Sequence, residues 1–209
     1  MVLRAKPEKV EERERTRRAL LQATLQLAAQ HGFAGLGLRE VARGAQIAPT
    51  SFYRHFADME ELGLALVDEL VAPLLADWLT QIEAALLARK EPAAALVTHL
   101  SELAHSEHDL LRFVLAARVG ANRSCRLALR RELAKVAQGL AVALSTRSER
   151  PVAPNVADAA ITLLLAGLSL SLESEALESE AEQRKIVHNL ERQLALLLAA
   201  PVEPSRKGS

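Results

Sequence analysis

Residues 37–56, GLREVARGAQIAPTSFYRHF, contain two short helical patterns separated by a break. In the first pattern, apolar side chains recur at helical spacing, which predicts an amphipathic helix over residues 38–45. These side chains are Leu38, Val41, Ala42 and Ala45. Gly37 occupies the capping position, where a small residue is tolerated. Pro49 marks the first turn of a second helix, because its missing N–H has no helical partner there.

The second helix presents two different faces. At about 100° per residue, Phe52 and Phe56 share one face, which is expected to be buried. The opposite surface carries Thr50 and Arg54 at its centre and Tyr53 and His55 on its flanks. Two helices joined by a tight turn form a helix-turn-helix, whose second helix enters the DNA major groove; the central pair would meet bases and the flanking pair phosphates. The alternative, a core helix whose aromatics only pack, has no need of these polar side chains.

Three segments resemble the TetR family of one-component repressors. They are TRRALLQATLQLAAQHGFAGLGLREVA at residues 16–42, SFYRHF at 51–56 and ELGLALV at 61–67. The family match covers residues 16–62, and beyond it only the all-helical layout agrees. More narrowly, residues 38–69 resemble the branch that represses unsaturated fatty-acid synthesis and desaturation genes.

The resemblance implies phosphate contacts from the flanking side chains and from the amino end of the second helix, and base contacts from the central side chains. The base-facing residues would be Thr50, Ser51 and Arg54. Arg17, near the start of the predicted first helix (11–31), is expected to add a phosphate contact. The complete predicted DNA-binding set is Arg17, Arg39, Pro49, Thr50, Ser51, Tyr53, Arg54 and His55.

The sequence departs from the family pattern at three positions. Gln46 stands where the family usually has a turn glycine, so we predict a non-glycine residue with positive φ there. Ala48 replaces the usual serine cap, and Met59 replaces a lysine that commonly contacts phosphate. None of these changes removes the second helix.

Composition and charge exclude several classes of protein. No apolar run reaches the roughly 18 residues of a membrane span, and the first residues are too charged for a signal peptide. Cys125 is the only cysteine, which excludes an intramolecular disulfide and favours a soluble protein of the cytoplasm. Residues 1–56 contain 10 Lys and Arg against 5 Asp and Glu, whereas the remainder contains 16 against 21. A basic amino-terminal segment on an acidic body is typical of a DNA-binding module.

The remaining patterns predict an all-α protein of about nine helices. The first twelve residues are expected to form a mobile arm, which either is disordered or adds phosphate contacts through Arg4, Lys6 and Lys9. Asp58 and Glu61 form a capping box at the start of a helix that is kinked at Pro73. Besides residues 38–45 and the helix at Pro49, the predicted helices are 11–31, 58–87, 93–105, 108–118, 124–146, 156–172 and 179–200. We divide the chain into a helix-turn-helix domain (1–57), a ligand-binding and dimerisation domain (58–203) and a disordered tail (204–209).

The last two helices are predicted to form a dimer interface. Helix 156–172 is apolar on all sides and therefore has to be buried. The final helix carries an apolar seam for a partner helix, formed by Val187, Leu190, Leu194 and Leu197. Two such helices from each chain would make a four-helix interface, as expected of a homodimer that reads two half-sites. The alternative is ordinary packing within one chain.

The body is predicted to enclose an effector pocket with an aliphatic lining. The candidate residues are Leu70, Leu74, Trp78, Leu100, Leu103, Leu111, Phe113 and Val114, with Arg118 at the mouth. Such a lining suits a flexible acyl chain better than a flat aromatic drug. The resemblance to the fatty-acid branch implies a long-chain acyl-CoA, whose phosphates would meet arginines. These are Arg118, Arg123, Arg126, Arg130 and Arg131, for which the alternative is a solvated basic face.

Other chemistry has little support in the sequence. His99, His105 and His108 lie on helices without the spacing of a metal site, so no metal or cofactor is expected beyond the effector. No phosphate loop, nucleophile elbow or cysteine cluster indicates an enzyme. We expect a cytoplasmic, homodimeric, ligand-responsive repressor of lipid genes that binds a palindromic operator. The alternatives are a repressor of an efflux pump that senses a lipophilic compound, or a helical interaction protein.

Overall fold

The computed structural model describes residues 5–88, 90–120, 122–149, 151–176 and 180–199. The described residues form helices and no strand, which confirms the predicted all-α class. The helices are α1 (Ala5–His31), α2 (Leu38–Gly44), α3 (Pro49–Phe52), α4 (59–87), α5 (Pro92–Ser106), α6 (His108–Val119), α7 (Arg123–Ser148), α8 (Pro154–Ala176) and α9 (Glu180–Ala199). A 3₁₀ turn, Phe33–Gly35, lies between α1 and α2.

Helix α1 begins earlier than predicted. Its first residue is Ala5, so most of the segment expected to be a mobile arm is helical. The sequence KPEKVEERER lacks an apolar stripe but consists largely of good helix formers, with a proline in the first turn where it is tolerated. Arg4 and the side chains of Lys6 and Lys9 lie outside the described residues, as does the predicted tail.

Helix α4 contains a π-helical turn where the sequence predicted a kink at Pro73. Regular helix at Met59–Leu66 is followed by the π turn Val67–Val71 and by regular helix at Ala72–Leu87. The Ala72 N–H donates to the Val67 carbonyl, five residues back. Because a proline cannot donate to the carbonyl four residues back and its ring crowds that carbonyl, the wider turn accommodates Pro73.

The predicted capping box at the start of α4 is present in its Asp58 half, whereas the Glu61 carboxylate bonds the residue before the N-cap. The Asp58 carboxylate accepts a hydrogen bond from the Glu61 N–H at 2.8 Å. The Glu61 carboxylate accepts from the Ala57 N–H at 2.5 Å. Two N–H groups that have no partner within the helix are therefore satisfied by side chains.

The chain divides into two compact units, each built from two separate stretches of sequence. The first unit comprises residues up to 73 together with 109–130, and the second comprises 74–108 together with 131 onward. The predicted domain boundary after residue 57 differs from this division into compact units, and it stays a prediction.

The first unit has an aromatic and aliphatic core. The rings of Phe33 and Phe113 meet edge to face, with centroids 5.6 Å apart. Helix α4 approaches this core closely at Gly63, where a Cβ atom would lie 2.6 Å from the Cys125 sulfur. The largest fully buried side chains of this unit are Leu20, Leu21, Phe52, Phe56, Leu62, Leu66, Phe113 and Leu129.

In the second unit, α9 packs against α8 and α5. Leu190 and Leu194 are buried within the chain, and Leu190 lies so close to α8 that a Cβ atom at Gly167 would be 2.4 Å from its Cδ2. The seam predicted to meet a partner helix is thus covered by the chain itself at these positions. Helix spacing identifies a shared face, but it cannot tell which chain covers that face.

Helix α8 is apolar on most sides and only partly buried within one chain, and its predicted burial against a second chain stays a prediction. Leu170 is 52 % exposed. By length and composition, residues Pro154–Glu173 would be able to cross a membrane, with a mean hydropathy of 1.6. The core helix of a soluble protein passes the same test, and α8 supplies Ala157, Ala160, Leu164 and Leu168 to the core of the second unit.

Candidate nucleic-acid interface

A hydrogen-bonded turn joins α2 to α3. The Gln46 N–H donates to the Arg43 carbonyl at 3.0 Å, and the Ile47 N–H donates to the Ala42 carbonyl at 2.9 Å. Gln46 has a φ of +58°, which confirms the conformation predicted from its place in the glycine position of the family. A glutamine at this φ carries a steric cost that the two hydrogen bonds offset.

Helix α3 is short, and its buried face is the predicted one. Regular helix spans Pro49–Phe52 and continues as turns to Phe56, whose N–H donates to the Phe52 carbonyl at 3.1 Å. Phe52 and Phe56 are buried, with ring centroids 5.8 Å apart. Ala48 precedes the helix without a side-chain cap, since alanine offers no acceptor.

The opposite surface of α3 is polar and exposed. Tyr53 is 64 % exposed, although its ring meets that of Phe52 edge to face at 5.9 Å. Most of the predicted DNA-binding residues lie at the surface: Arg39, Pro49, Thr50, Tyr53 and Arg54 are exposed, and Ser51 and His55 are half-buried. These side chains lie on α2, α3 and the turns that follow α3, so the structure places a polar, basic surface on the second helix of a helix-turn-helix.

Arg17 differs from the other predicted contacts because it is engaged within the protein. Its Nε lies 3.0 Å and 3.3 Å from the two carboxylate oxygens of Glu69, and its Nη2 also bonds that carboxylate. Its Nη1 donates to the His55 carbonyl at 3.0 Å. The guanidinium carbon lies 4.3 Å from the centre of the Phe56 ring.

His55 sits beside several cations. Burial lowers the pKa of its imidazole below the ordinary 6.5, Arg13, Arg17 and Arg54 lower it further, and Glu14 acts in the opposite direction. Its Nδ1 is enclosed and has no hydrogen-bond partner among the described residues. A protonated ring would carry an unsatisfied N–H at this atom, so the neutral form is favoured.

We expect His55 to make the protein less stable in mild acid. Because its pKa is lower in the folded than in the unfolded chain, the unfolded state binds more protons as pH falls through about 6.5, and the free energy of unfolding decreases down to the folded-state pKa. The midpoint temperature of thermal unfolding should therefore change in favour of wild type, relative to His55→Gln, as the pH is raised from 5.5 to 7.5. An equal difference at both pH values would contradict this assignment.

The predicted effector lining is distributed over both units. Leu70, Leu111, Phe113, Val114 and Arg118 belong to the first unit, and Leu74, Trp78, Leu100 and Leu103 belong to the second. Leu111, Phe113, Val114 and Trp78 are buried, the remaining leucines are half-buried, and Arg118 is exposed. In the second unit, Leu100 lines a small pocket of about 90 Å³ between α5, α8 and α9. The Trp78 Nε1–H has no hydrogen-bond partner among the described residues.

The first unit contains a pocket that the sequence did not indicate. It has a volume of about 440 Å³, with polar groups from Glu60 and Asn122. Its apolar wall is formed by Phe33, Leu36, Met59, Ala116, Ala117 and Cys125. Burial raises the pKa of the Cys125 thiol to about 11, so the sulfur is a neutral apolar surface here. No sequence pattern predicts this pocket, because its lining residues come from three distant stretches of sequence.

The histidines of α5 and α6 do not assemble a metal site. The His99 Nδ1 lies 2.8 Å from the Ala95 carbonyl of its own helix. Within the described ranges, no group of three His, Cys, Asp or Glu side chains is arranged to hold a metal ion.

The amino-terminal segment is similar to a known family. Residues 20–66 match the family model for bacterial regulatory proteins of the tetR family. The matched segment runs from the middle of α1 to the end of the first regular part of α4, so it includes the helix-turn-helix described above.

Solved structures share the fold over nearly the whole chain. The fatty acid degradation regulator FadR from Bacillus halodurans has a TM-score of 0.69 at 15 % identity, covering 90 % of this chain and 97 % of that one. GusR from Salmonella enterica has a TM-score of 0.66 at 18 % identity, covering 88 % and 96 %. A transcriptional regulator from Rhodococcus sp. RHA1 has a TM-score of 0.65 at 23 % identity, covering 90 % and 99 %. At these identities the likeness establishes the fold.

Proposed function

We propose that this chain, a transcriptional regulator of the TetR family, is a homodimeric repressor that binds a palindromic operator and responds to a lipophilic effector. The observation that carries the proposal is the exposed polar surface of α3, with Thr50, Tyr53 and Arg54 directed away from a buried Phe52–Phe56 face. Regulators of this family bind DNA and are not enzymes. A regulator that binds chromosomal DNA works in the cytoplasm.

The side chains on the surface around α3 fall into two groups, one expected to contact bases and the other expected to contact phosphates. Thr50, Ser51 and Arg54 would read base edges, with the arginine suited to a guanine, whose O6 and N7 accept two hydrogen bonds. Tyr53, His55 and Arg39 would contact phosphates, which hold the helix in register without reading sequence.

Two single substitutions separate these roles. Tyr53→Phe removes one hydroxyl and should weaken binding to all duplexes by a similar factor. Arg54→Ala should weaken binding and also reduce discrimination at one base pair of each half-site by about 1–3 kcal/mol. Competition titrations with operator variants changed at single base pairs would measure both effects. The same loss of discrimination in both variants would contradict the assignment.

We place the dimer interface on the faces of α8 and α9 that this chain leaves uncovered. Leu170 is 52 % exposed and Leu196 is 72 % exposed, so both helices carry apolar side chains outside the core of the single chain. Burying them against a second chain would remove apolar surface from water. A two-fold dimer also matches a palindromic operator, because each protomer then reads one half-site.

The effector is proposed to be a long-chain acyl-CoA, and the regulated genes to be genes of fatty-acid metabolism. The support is the aliphatic character of the lining that the sequence predicts and the resemblance of residues 38–69 to the fatty-acid branch. One structural neighbour is a fatty acid degradation regulator, although at 15 % identity. A repressor of an efflux pump that senses a lipophilic compound is the second candidate, since an apolar lining serves either ligand.

The deciding experiment is to incubate the purified protein with fragmented genomic DNA of its source and to sequence the retained fragments. A palindrome beside fatty-acid synthesis or desaturase genes would support the lipid assignment, and acyl-CoA species would then be titrated. A palindrome beside a transporter gene would support the efflux alternative. Absence of enrichment would overturn the repressor proposal.

Salt dependence separates a DNA reader from a helical interaction protein. Each phosphate that the protein neutralises releases counterions from the DNA. The logarithm of the association constant therefore falls, for every tenfold rise in salt concentration, by about 0.9 for each phosphate contact. An interaction protein would show no DNA affinity at low salt.

A further inference from the structure

The carboxyl end of α3 is held by two arginines of α1. The Arg13 Nη2 donates to the Arg54 carbonyl at 3.3 Å, and the Arg17 Nη1 donates to the His55 carbonyl at 3.0 Å. These carbonyls follow a helix of four residues, Pro49–Phe52, which is far too short to be stable by itself. Cations at the end of a helix satisfy carbonyls that lack a partner within the helix and interact favourably with its dipole.

Arg17 makes the larger set of contacts. The edge of its guanidinium donates to the His55 carbonyl at 3.0 Å, and the face of the same group covers the Phe56 ring at 4.3 Å, so Arg17 contacts two successive residues after α3. Only a planar cation makes both contacts at once, and a lysine in its place would lose one of them.

Glu69 determines where this guanidinium lies. Its carboxylate accepts from both Nε and Nη2 of Arg17, across 52 residues of sequence. Glu69 lies in the π turn Val67–Val71 of α4, so the side-chain direction at this position depends on the wide turn. The pair therefore links the π turn of α4 to the end of the DNA-reading helix.

We infer that Arg17 is a positioning residue for DNA recognition, held by Glu69 to support the end of α3, and that it does not contact phosphate. This inference rests on the proposed function, and it replaces the phosphate contact that the sequence suggested for Arg17. In the free protein the donors of Arg17 are directed to Glu69 and His55, and the cation is half-buried.

The two roles of Arg17 predict opposite effects of Glu69→Gln. If Arg17 positions α3, the amide weakens its hold on the guanidinium but still offers it one acceptor, so affinity for DNA should fall by about threefold to tenfold, the net worth of one ordinary hydrogen bond. If Arg17 binds phosphate, removing a competing carboxylate should raise affinity. The probe is a duplex selected by the wild-type protein from a random 30-base-pair library. Asp68→Asn is the matched control, because it removes one exposed carboxylate from the same turn.

The salt dependence of DNA binding provides a second test that separates the positioning role of Arg17 from a phosphate contact. Arg17→Ala should reduce affinity by about tenfold or more while leaving the slope of log affinity against log salt unchanged. Loss of a phosphate contact in each protomer would instead reduce that slope by about 1.8 for the dimer. Arg18→Ala is the matched control for the loss of one positive charge from α1, since Arg18 is the exposed neighbour.

A readout without DNA keeps this inference separate from the proposed function. In Glu69→Gln, amide hydrogen exchange at residues 53–56 should accelerate relative to wild type and to Asp68→Asn, with thermal unfolding almost unchanged. Failure of the wild type to select any duplex would overturn the proposed function and leave this exchange result intact. Unchanged exchange, a higher affinity of Glu69→Gln or a reduced salt slope of Arg17→Ala would each overturn the positioning role.

Discussion

Replacing Phe52 by alanine should lower the free energy of unfolding by about 3–5 kcal/mol. The side chain is fully buried and packs against both neighbouring aromatic rings, Phe56 at 5.8 Å and Tyr53 at 5.9 Å. Its removal leaves a cavity beneath α3, and a helix of four residues has no other apolar anchor of this size in its regular part. Equilibrium urea denaturation followed by circular dichroism measures the loss.

Phe52→Ala should also abolish selective DNA binding, because the polar residues of α3 keep their orientation only while the aromatic face of the helix is packed. Tyr53→Ala is the control: it also removes a ring from α3, but one that is 64 % exposed. We expect it to change the free energy of unfolding by no more than about 1 kcal/mol and to weaken binding to DNA. Equal destabilisation by both variants would show that the buried face of α3 has been assigned incorrectly.

Replacing Leu194 by alanine should cost about 2–5 kcal/mol of unfolding free energy. Leu194 is fully buried within one chain, where α9 packs on α8 and α5. Leu87→Ala is the matched control, because the same methyl groups are removed from a side chain that is 73 % exposed. Chemical denaturation of the three proteins at one low concentration measures the difference. A small effect at Leu194 would contradict its burial in a single chain.

Substitutions at Leu196, two residues after Leu194 on α9, should have a different effect from Leu194→Ala and from Leu87→Ala. Leu196 is 72 % exposed in the single chain, so truncation should scarcely affect unfolding of the monomer, yet Leu196→Arg should weaken dimerisation if this face is the interface. Sedimentation velocity over a range of concentrations would measure the dissociation constant. A variant as dimeric as wild type would place the interface elsewhere.

Much of the amino-terminal unit was predictable because the determining interactions are local. Helical spacing identified the buried Phe52–Phe56 face, and the resemblance to a family with a turn glycine at position 46 predicted a positive φ at Gln46, which is 58°. The Asp58 half of the capping box was equally readable, since its hydrogen bond joins residues three apart. Features of this kind can be predicted from the sequence because they depend on residues within about one helical turn of each other.

Features that depend on distant residues were not predictable. The seam of α9 was identified correctly as apolar, but its coverage by α8 and α5 of the same chain depends on how three helices meet. The pocket around Cys125 combines residues from three stretches, and no spacing connects them. The place of Arg17 near the start of α1 predicted a phosphate contact, but it gave no indication of the ion pair with Glu69, which lies 52 residues away.

The sequence by itself determined that this protein is all helical, that its second short helix has one aromatic and one polar face, and which side chains that polar face presents. Each of these follows from the 3.6-residue period and from local backbone chemistry. Only the tertiary structure decided which cations remain available to DNA, which leucines are covered by their own chain, and where α4 departs from regular helix. Those outcomes follow from packing and ion pairing between segments that are far apart along the chain, which sequence spacing does not encode.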